Sequence, residues 1–339
     1  MYSDYSKKNS SFRPGVLALL TGVLGSSLAL AAPRDPVKFA VNLEQMRAHY
    51  AVSLLTYGQG QRDLAAQHIG HPRAELYPLL RGDLNPALQT RFLADMAGIE
   101  KVLSTGGSST TLKAAVQSFT STADKALLLL DSTQRNDPKF NAQVVSSLLK
   151  SAGDEYAGAF EAAKLSKPTE YQDAVYYLER AGKWFEASAS RFPADGRGQT
   201  RTALHEAVKL MKDKGSAQQL KQALGRARSE LAGISGVALL TGSTRGGVDE
   251  VIAQLKAAQT HYQGGMSDMA NEALISAYLD HFEALEAPLA AKDKALELQL
   301  ESTLKTGLRD LIRSKVSVSV FSAAAERAIF DLRRAQGLL

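Results

Sequence analysis

Residues 112–130, LKAAVQSFTSTADKALLLL, place apolar side chains three or four positions apart along their whole length. Side chains at this spacing fall on one face of an α-helix, so the stretch predicts an amphipathic helix with one buried face. The same spacing recurs in eight further stretches, residues 37–57, 87–103, 144–163, 171–188, 202–211, 248–262, 271–285 and 295–312. The sequence therefore predicts an all-α protein made of multi-helix bundles that are built from repeated helical hairpins.

Turn-forming residues interrupt this periodicity at three seams, residues 131–138 (DSTQRNDP), 193–198 (PADGRG) and 242–247 (GSTRGG). We expect a first helical bundle unit at 32–135, a middle helical unit at 136–235 and a C-terminal helical unit at 236–339. Only residues 237–240 and 316–321 hint at extended structure, and both segments are short enough to be loop edges or helix turns. Sliding the chain by 205 positions brings Tyr57 onto Tyr262 and residues 75–77 onto 280–282. The C-terminal unit is thus predicted to be an internal repeat of the first.

The N-terminus has the features of a secretory signal peptide. Lys7, Lys8 and Arg13 precede an apolar run at 16–31 that ends in Ala-Leu-Ala. This order predicts a signal peptide over residues 1–31, with an uncleaved anchor as the alternative, and a periplasmic, secreted or cell-envelope location. The formal charge of +5 is spread among acidic residues and forms no basic stripe, so no nucleic-acid partner is expected. We expect no membrane span once the leader is cleaved.

Imidazoles, carboxylates and phenols concentrate in two short stretches, residues 57–77 (YGQGQRDLAAQHIGHPRAELY) and 154–173 (DEYAGAFEAAKLSKPTEYQD). Because the chain has no cysteine, a metal could be bound only through nitrogen and oxygen, which suits iron, zinc, copper or manganese. In the first stretch, His68 would end one helix, His71 would cap the next and Glu75 would lie on its first turn. These three side chains are the first predicted metal site. The alternative is that His68 and Glu75 only interact favourably with the dipoles of their helices and that His71 is only a helix cap.

The second stretch predicts an oxygen-rich site. Asp154, Glu155, Glu170 and Asp173 would face one another from two antiparallel helices that are joined near residues 164–168. The alternative is an ordinary solvated helix face. A further acidic edge at 280–286 is interpreted as carboxylates neutralised by neighbouring lysines rather than as a metal site.

Several of these motifs resemble a known family. Residues 151–156 (SAGDEY) followed by 170–173 (EYQD), and residues 262–265 (YQGG) followed by 277–286 (AYLDHFEALE), are similar to the soluble extracytoplasmic helical domain of high-affinity iron permease family proteins. A looser likeness is to imelysin-type periplasmic iron-binding proteins, although no histidine here has Glu three positions later. The chain also lacks the Arg-Glu-Gly-Leu-Glu motif of the permease, so we do not expect it to be the transporter.

The resemblance and the two stretches together predict a secreted or periplasmic metal-binding protein that is accessory to metal uptake or storage. Iron is the expected metal ion, and a membrane iron permease or another envelope protein is the expected partner. No nucleophile constellation or other enzymatic motif stands out, so an enzyme is not expected. The competing interpretation is a structural or protein-interaction module of the cell envelope that binds no metal.

Overall fold

A computed structural model describes residues 32–161, 164–236 and 244–339. The predicted leader at 1–31 and the predicted extended segment at 237–240 lie outside the described residues. Within those ranges the chain is almost entirely helical, with one two-stranded hairpin in which Phe160 pairs with Leu165 and Glu161 with Lys164. The prediction of an all-α protein made of helical bundles is confirmed.

The helices fall into three successive groups. The first group is α1 (Pro36–Gly58), α2 (Arg62–His71), α3 (Tyr77–Arg81), α4 (Pro86–Ser104) and α5 (Ser109–Leu127). The second is α6 (Ser132–Asn136), α7 (Pro138–Gly158), β1 (Phe160–Glu161), β2 (Lys164–Leu165), α8 (Pro168–Ser188), α9 (Ala194–Lys212) and α10 (Ala217–Ser235). The third is α11 (Thr244–Gln263), α12 (Ser267–Ser276), α13 (Glu283–Ala290), α14 (Lys294–Ser302), α15 (Leu308–Arg313) and α16 (Val318–Leu338).

One tyrosine contact occurs in all three groups. The phenol at the end of the first long helix donates a hydrogen bond to the backbone carbonyl that immediately precedes the serine N-cap of the last helix. The pairs are Tyr57 to Gly107 (2.5 Å), Tyr156 to Gly215 (2.6 Å) and Tyr262 to Val316 (2.7 Å), and the caps are Ser108, Ser216 and Ser317. Because each phenol ties the same two positions together, the three groups share one helical arrangement.

The first and third groups also agree in detail at the spacing of 205 positions. Helix α2 and helix α12 have the same length, and both follow a turn with a left-handed glycine, Gly60 at φ +79° and Gly265 at φ +73°. A side chain strains this backbone conformation, so glycine is favoured at both turns. Each of the two helices then runs into a π-helical segment, Pro72–Leu76 in the first group and Ala277–Phe282 in the third.

The expected helix break between His68 and His71 is wrong. Gly70 lies inside α2, and His71 has helical dihedrals (φ −56°, ψ −48°) and leads directly into Pro72–Leu76. Proline lacks the N–H that would bond four residues back, and the π-helical segment absorbs the ring without ending the helix. The chain therefore continues past Pro72 with a local widening.

Of the interpretations left open for residues 316–321, the structure has the helix turn, since α16 begins at Val318. Ser317 caps α16 by accepting a hydrogen bond from the Val320 N–H, and Phe321 is fully buried on the first turns of that helix. This burial outweighs the strand preference of the local valines. None of the stretches with predicted helical periodicity covers α10 or α16.

Two hydrophobic clusters form the core. The larger one joins the first and second groups and includes Tyr50, Phe119 and Phe185, and the smaller one lies within the third group around Phe282 and Phe321. Residues 31–339 nevertheless form one compact unit. The boundaries predicted at 135 and 235 stay a prediction. No helix within the described ranges combines the length and the apolar character that crossing a bilayer requires.

Candidate metal centre

Three buried side chains from three helices converge on one point. His49 lies on α1, His68 on α2 and Asp173 on α8. The Oδ1 atom of Asp173 is 2.9 Å from Nδ1 of His49 and 3.0 Å from Nδ1 of His68, and all three side chains are at most 4% exposed. These ligand atoms lie within 4.8 Å of one another. We call His49, His68 and Asp173 the triad.

The distances in the triad are those of hydrogen bonds, but the directions are not. All three atoms are buried. Among the described residues, none of them has a partner with hydrogen-bond geometry. Buried polar atoms are normally satisfied, so three such atoms at one point need an explanation. A cation placed between them would accept all three lone pairs.

The outer nitrogens of both rings are held by neighbouring side chains. Nε2 of His68 lies 2.8 Å from Oε1 of Gln172, and Nε2 of His49 lies 2.9 Å from the hydroxyl of Tyr177. A hydrogen on Nε2 of His68 is required for donation to the amide oxygen. This tautomer leaves Nδ1 free to bind either a proton or a metal ion, and metal-bound histidines are usually held in this way.

The electrostatics favour positive charge at the triad. Burial alone would raise the pKa of Asp173, but the imidazoles of His49 and His68 lower that pKa below its usual value. Burial alone would lower the pKa of His68, but the contact with Asp173 raises it. The Asp173 carboxylate is thus stabilised by positive charge next to it, and a proton on an imidazole or a metal cation can supply that charge.

A small cavity of about 40 Å³ adjoins the triad, and His49 and Asp173 are among its lining residues. Seven carboxylates line it, but among the described lining residues only one ammonium, that of Lys305, does. We call it the inner cavity. The seven carboxylates belong to Glu75, Asp154, Glu155, Glu170, Asp173, Glu283 and Glu286.

All three π-helical segments of the described chain border the inner cavity. Pro72–Leu76 contributes Glu75, Ala277–Phe282 contributes Tyr278, and Thr303–Gly307 contributes Lys305. Such distortions of an α-helix occur frequently at functional sites. Here they direct side chains from the first and third helix groups into one space.

Burial shifts the titration of several lining groups. It raises the pKa of Glu155 well above its usual value, and the carboxylates of Glu283 and Asp173 raise it further. It raises the pKa of Glu283 in the same way. Burial also lowers the pKa of His71 to about 4, with His49 adding to the effect. Without a cation, these carboxyl groups bind protons tightly and the His71 ring is neutral at pH 7.

Six of the seven residues predicted as metal ligands line the inner cavity: His71, Glu75, Asp154, Glu155, Glu170 and Asp173. The seventh, His68, is joined to them through Asp173. The structure groups them differently from the prediction, because His68 meets His49 and Asp173 rather than His71 and Glu75. The His71 ring instead lies edge-on to the His49 ring, with centroids 5.1 Å apart. Asp154 is paired with Lys150 at 2.6 Å.

Glu170 belongs to a second group of acidic side chains with Glu286 and Glu301, whose carboxylate oxygens lie within 4.8 Å of one another. The ammonium group of Lys167 lies among these three carboxylates. Nζ of Lys167 is 2.8 Å from Glu170, 3.5 Å from Glu286 and 3.7 Å from Glu301. We call these three carboxylates and Lys167 the lysine cluster.

Sequence reasoning missed His49, Glu283 and Lys305. His49 is a lone imidazole on a mainly apolar helix, and nothing in its spacing marks it. Glu283 was interpreted as neutralised by nearby lysines, but in the structure it has no ion-pair partner among the described residues. Lys294, one of those lysines, contacts Glu297 at 2.8 Å. Glu283 could have been identified from the motif at 277–286, because that motif resembles the iron permease-associated helical domain.

Comparison with known families gives one match. Residues 131–238, about a third of the chain, match the iron permease-associated 4-helix bundle domain. The match spans α6 to α10, and the resemblance predicted from residues 151–173 is confirmed there. It relates this segment to iron uptake. The likeness predicted for the C-terminal unit lies outside the match and stays a prediction. No match was found among curated proteins or among solved structures.

Proposed function

We propose that the protein binds iron at the triad outside the cytoplasm, as an accessory to iron uptake or storage. The observation that supports this most directly is the convergence of three buried ligand atoms, none of which has a partner with hydrogen-bond geometry among the described residues. Two imidazoles and one carboxylate with open positions form a ligand set that is typical of non-haem Fe(II). The match of the middle helices to an iron permease-associated domain supports iron over other metals.

The separations within the triad are compatible with an octahedral ion. Metal–ligand bonds of about 2.1 Å that meet at right angles separate two ligand atoms by about 3.0 Å. Oδ1 of Asp173 is 2.9 and 3.0 Å from the two Nδ1 atoms, and a charge-assisted hydrogen bond has a similar length. The choice of iron over zinc therefore rests on the ligand set and on the family match.

The remaining coordination positions would face the inner cavity. A volume of about 40 Å³ has room for roughly three water molecules, so water or a small anion can complete the coordination shell. The triad is buried and keeps open positions, which suits binding and release rather than a permanently closed structural site. A membrane iron permease is the partner that the family match suggests.

The test is metal retention by purified protein. We expect protein loaded with Fe(II) under argon and then desalted to retain about one equivalent, measured by mass spectrometry of the metal. His68→Ala and Asp173→Asn should each abolish retention. His205→Ala is the matched control, because His205 is exposed on α9. If the two triad variants retain as much iron as the control, the triad is not the site. If the unsubstituted protein retains none, the alternative of an envelope interaction module is favoured.

A further inference from the structure

The triad is buried, so a cation needs a route to it. The inner cavity is lined by Asp173 and His49, whose side chains are more than nine-tenths buried and whose atoms Oδ1 and Nδ1 have no partner with hydrogen-bond geometry among the described residues. A second, more open pocket of about 300 Å³, here called the outer pocket, lies next to the inner cavity. It is lined by Lys167 and by small side chains that include Ala157, Ala287, Ala290 and Ala291.

The two spaces have a common wall. Gly158 and Glu286 line both the inner cavity and the outer pocket. A side chain at position 158 would intrude there, because an added Cβ atom would lie 2.5 Å from Oε2 of Glu170 and 3.9 Å from Oε2 of Glu286. Glycine therefore keeps the space between the two carboxylates free.

The lysine cluster lies at this common wall. Lys167 lines the outer pocket, Glu170 lines the inner cavity and Glu286 lines both. Oε2 of Glu170 is buried and has no hydrogen-bond partner among the described residues. Three carboxylate oxygens within 4.8 Å of one another can hold a hard cation through oxygen alone, and the Lys167 ammonium now supplies that positive charge.

We propose that cations reach the triad from the outer pocket past Gly158, and that the three carboxylates of the lysine cluster are a transit site at which the cation replaces the Lys167 ammonium. This inference rests on the proposed function, because it concerns access to the triad. The ammonium keeps the transit site neutralised between passages and is tethered, so it can return when the cation has moved inward. The route takes hard divalent cations of the size of Fe(II).

Two variants test the route, with Co(II) as a spectroscopic probe in place of Fe(II). Gly158→Val should slow both Co(II) association and its removal by EDTA by at least about 10-fold, because a narrowed passage delays entry and exit equally. The dissociation constant should stay within about twofold for the same reason. Gly158→Ala should give a smaller effect in the same direction. The control is Gly182→Val on α8, where an added Cβ atom would meet nothing within 4 Å.

Lys167→Gln tests the transit site itself. Without the ammonium, the three carboxylates should trap a cation, so this variant should retain one more equivalent of Co(II) than the unsubstituted protein. Unchanged rates in Gly158→Val, or no additional equivalent in Lys167→Gln, would overturn the proposed route. Neither result would affect the triad, whose failure is recognised separately by loss of Co(II) binding in the unsubstituted protein.

Discussion

Asp173→Asn is the most informative single substitution in the triad. It keeps the size of the side chain and removes the one anionic ligand, whose Oδ1 atom lies 2.9 and 3.0 Å from the two imidazoles. Loss of even an outer partner of a metal ligand weakens binding by about 10–100-fold, so we expect loss of the ligand charge to cost at least about 100-fold. That factor corresponds to about 2.7 kcal/mol.

The assay is thermal unfolding with and without Fe(II) under argon. At a metal concentration of 100 times the dissociation constant, the unsubstituted protein gains about 2.7 kcal/mol, whereas a variant that binds about 100-fold more weakly gains only about 0.4 kcal/mol. The unfolding entropy of about 300 residues is roughly 0.6 kcal/mol/K, so the expected rise in Tm falls from about 4 °C to under 1 °C.

Without metal, Asp173→Asn should lower the Tm by about 5–8 °C, because the two buried imidazoles lose their anionic partner and the loss of one partner of a buried pair costs about 3–5 kcal/mol. The control is Asp63→Asn, which changes an exposed carboxylate on α2. A full metal-induced rise in Tm for Asp173→Asn would refute the role of the carboxylate. A metal-free variant that is unfolded would indicate that Asp173 is needed for the fold itself.

Three further results are expected. Gln172→Leu should weaken iron binding by about 10–100-fold with an unchanged circular dichroism spectrum, because Nε2 of His68 loses the acceptor 2.8 Å away; full affinity in an equilibrium titration would contradict this. Burial raises the pKa of Glu286 to about 7, so the folded protein holds its proton more tightly than the unfolded chain and the free energy of unfolding falls as pH rises from 4.5 to 7. In EDTA, Glu286→Gln should remove up to about 3 kcal/mol of that fall in urea titrations; an identical pH profile would count against it. Arg180→Met should destabilise the protein by about 2–3 kcal/mol in urea, since the fully buried Glu44 loses one of two guanidinium partners; a shift below 0.5 kcal/mol would show that the pair adds little.

The fold was largely readable because helix periodicity is a local property. The stretch at 112–130 became α5, and the spacing of 205 positions reappears in the bounds of α2 and α12. Helices α10 and α16 lie outside the predicted stretches although they carry the same local signals, since each has a serine N-cap and buried apolar residues three or four positions apart. The break expected at Gly70 was wrong, because a π-helical segment accommodates Pro72.

The candidate site was predictable in composition but not in pairing. Clustering of imidazoles and carboxylates selected six residues that line one cavity. It could not pair His68 with His49, which lies on a different helix, or identify Lys167 as the cation among three carboxylates. Contacts of this kind depend on how helices cross, and no short-range pattern encodes that angle.

The sequence by itself determined the helical class, the absence of cysteine ligands and the two stretches, 57–77 and 154–173, in which nitrogen and oxygen donors concentrate. Each of these follows from residue type and local spacing. Only the tertiary structure decided which donors meet. His49, His68 and Asp173 come together because α1, α2 and α8 pack side by side, and Lys305 and Glu283 face the same cavity because the third helix group closes it. Distances of about 3 Å between side chains on separate helices are set by packing of the whole core, and the linear order of residues does not contain them.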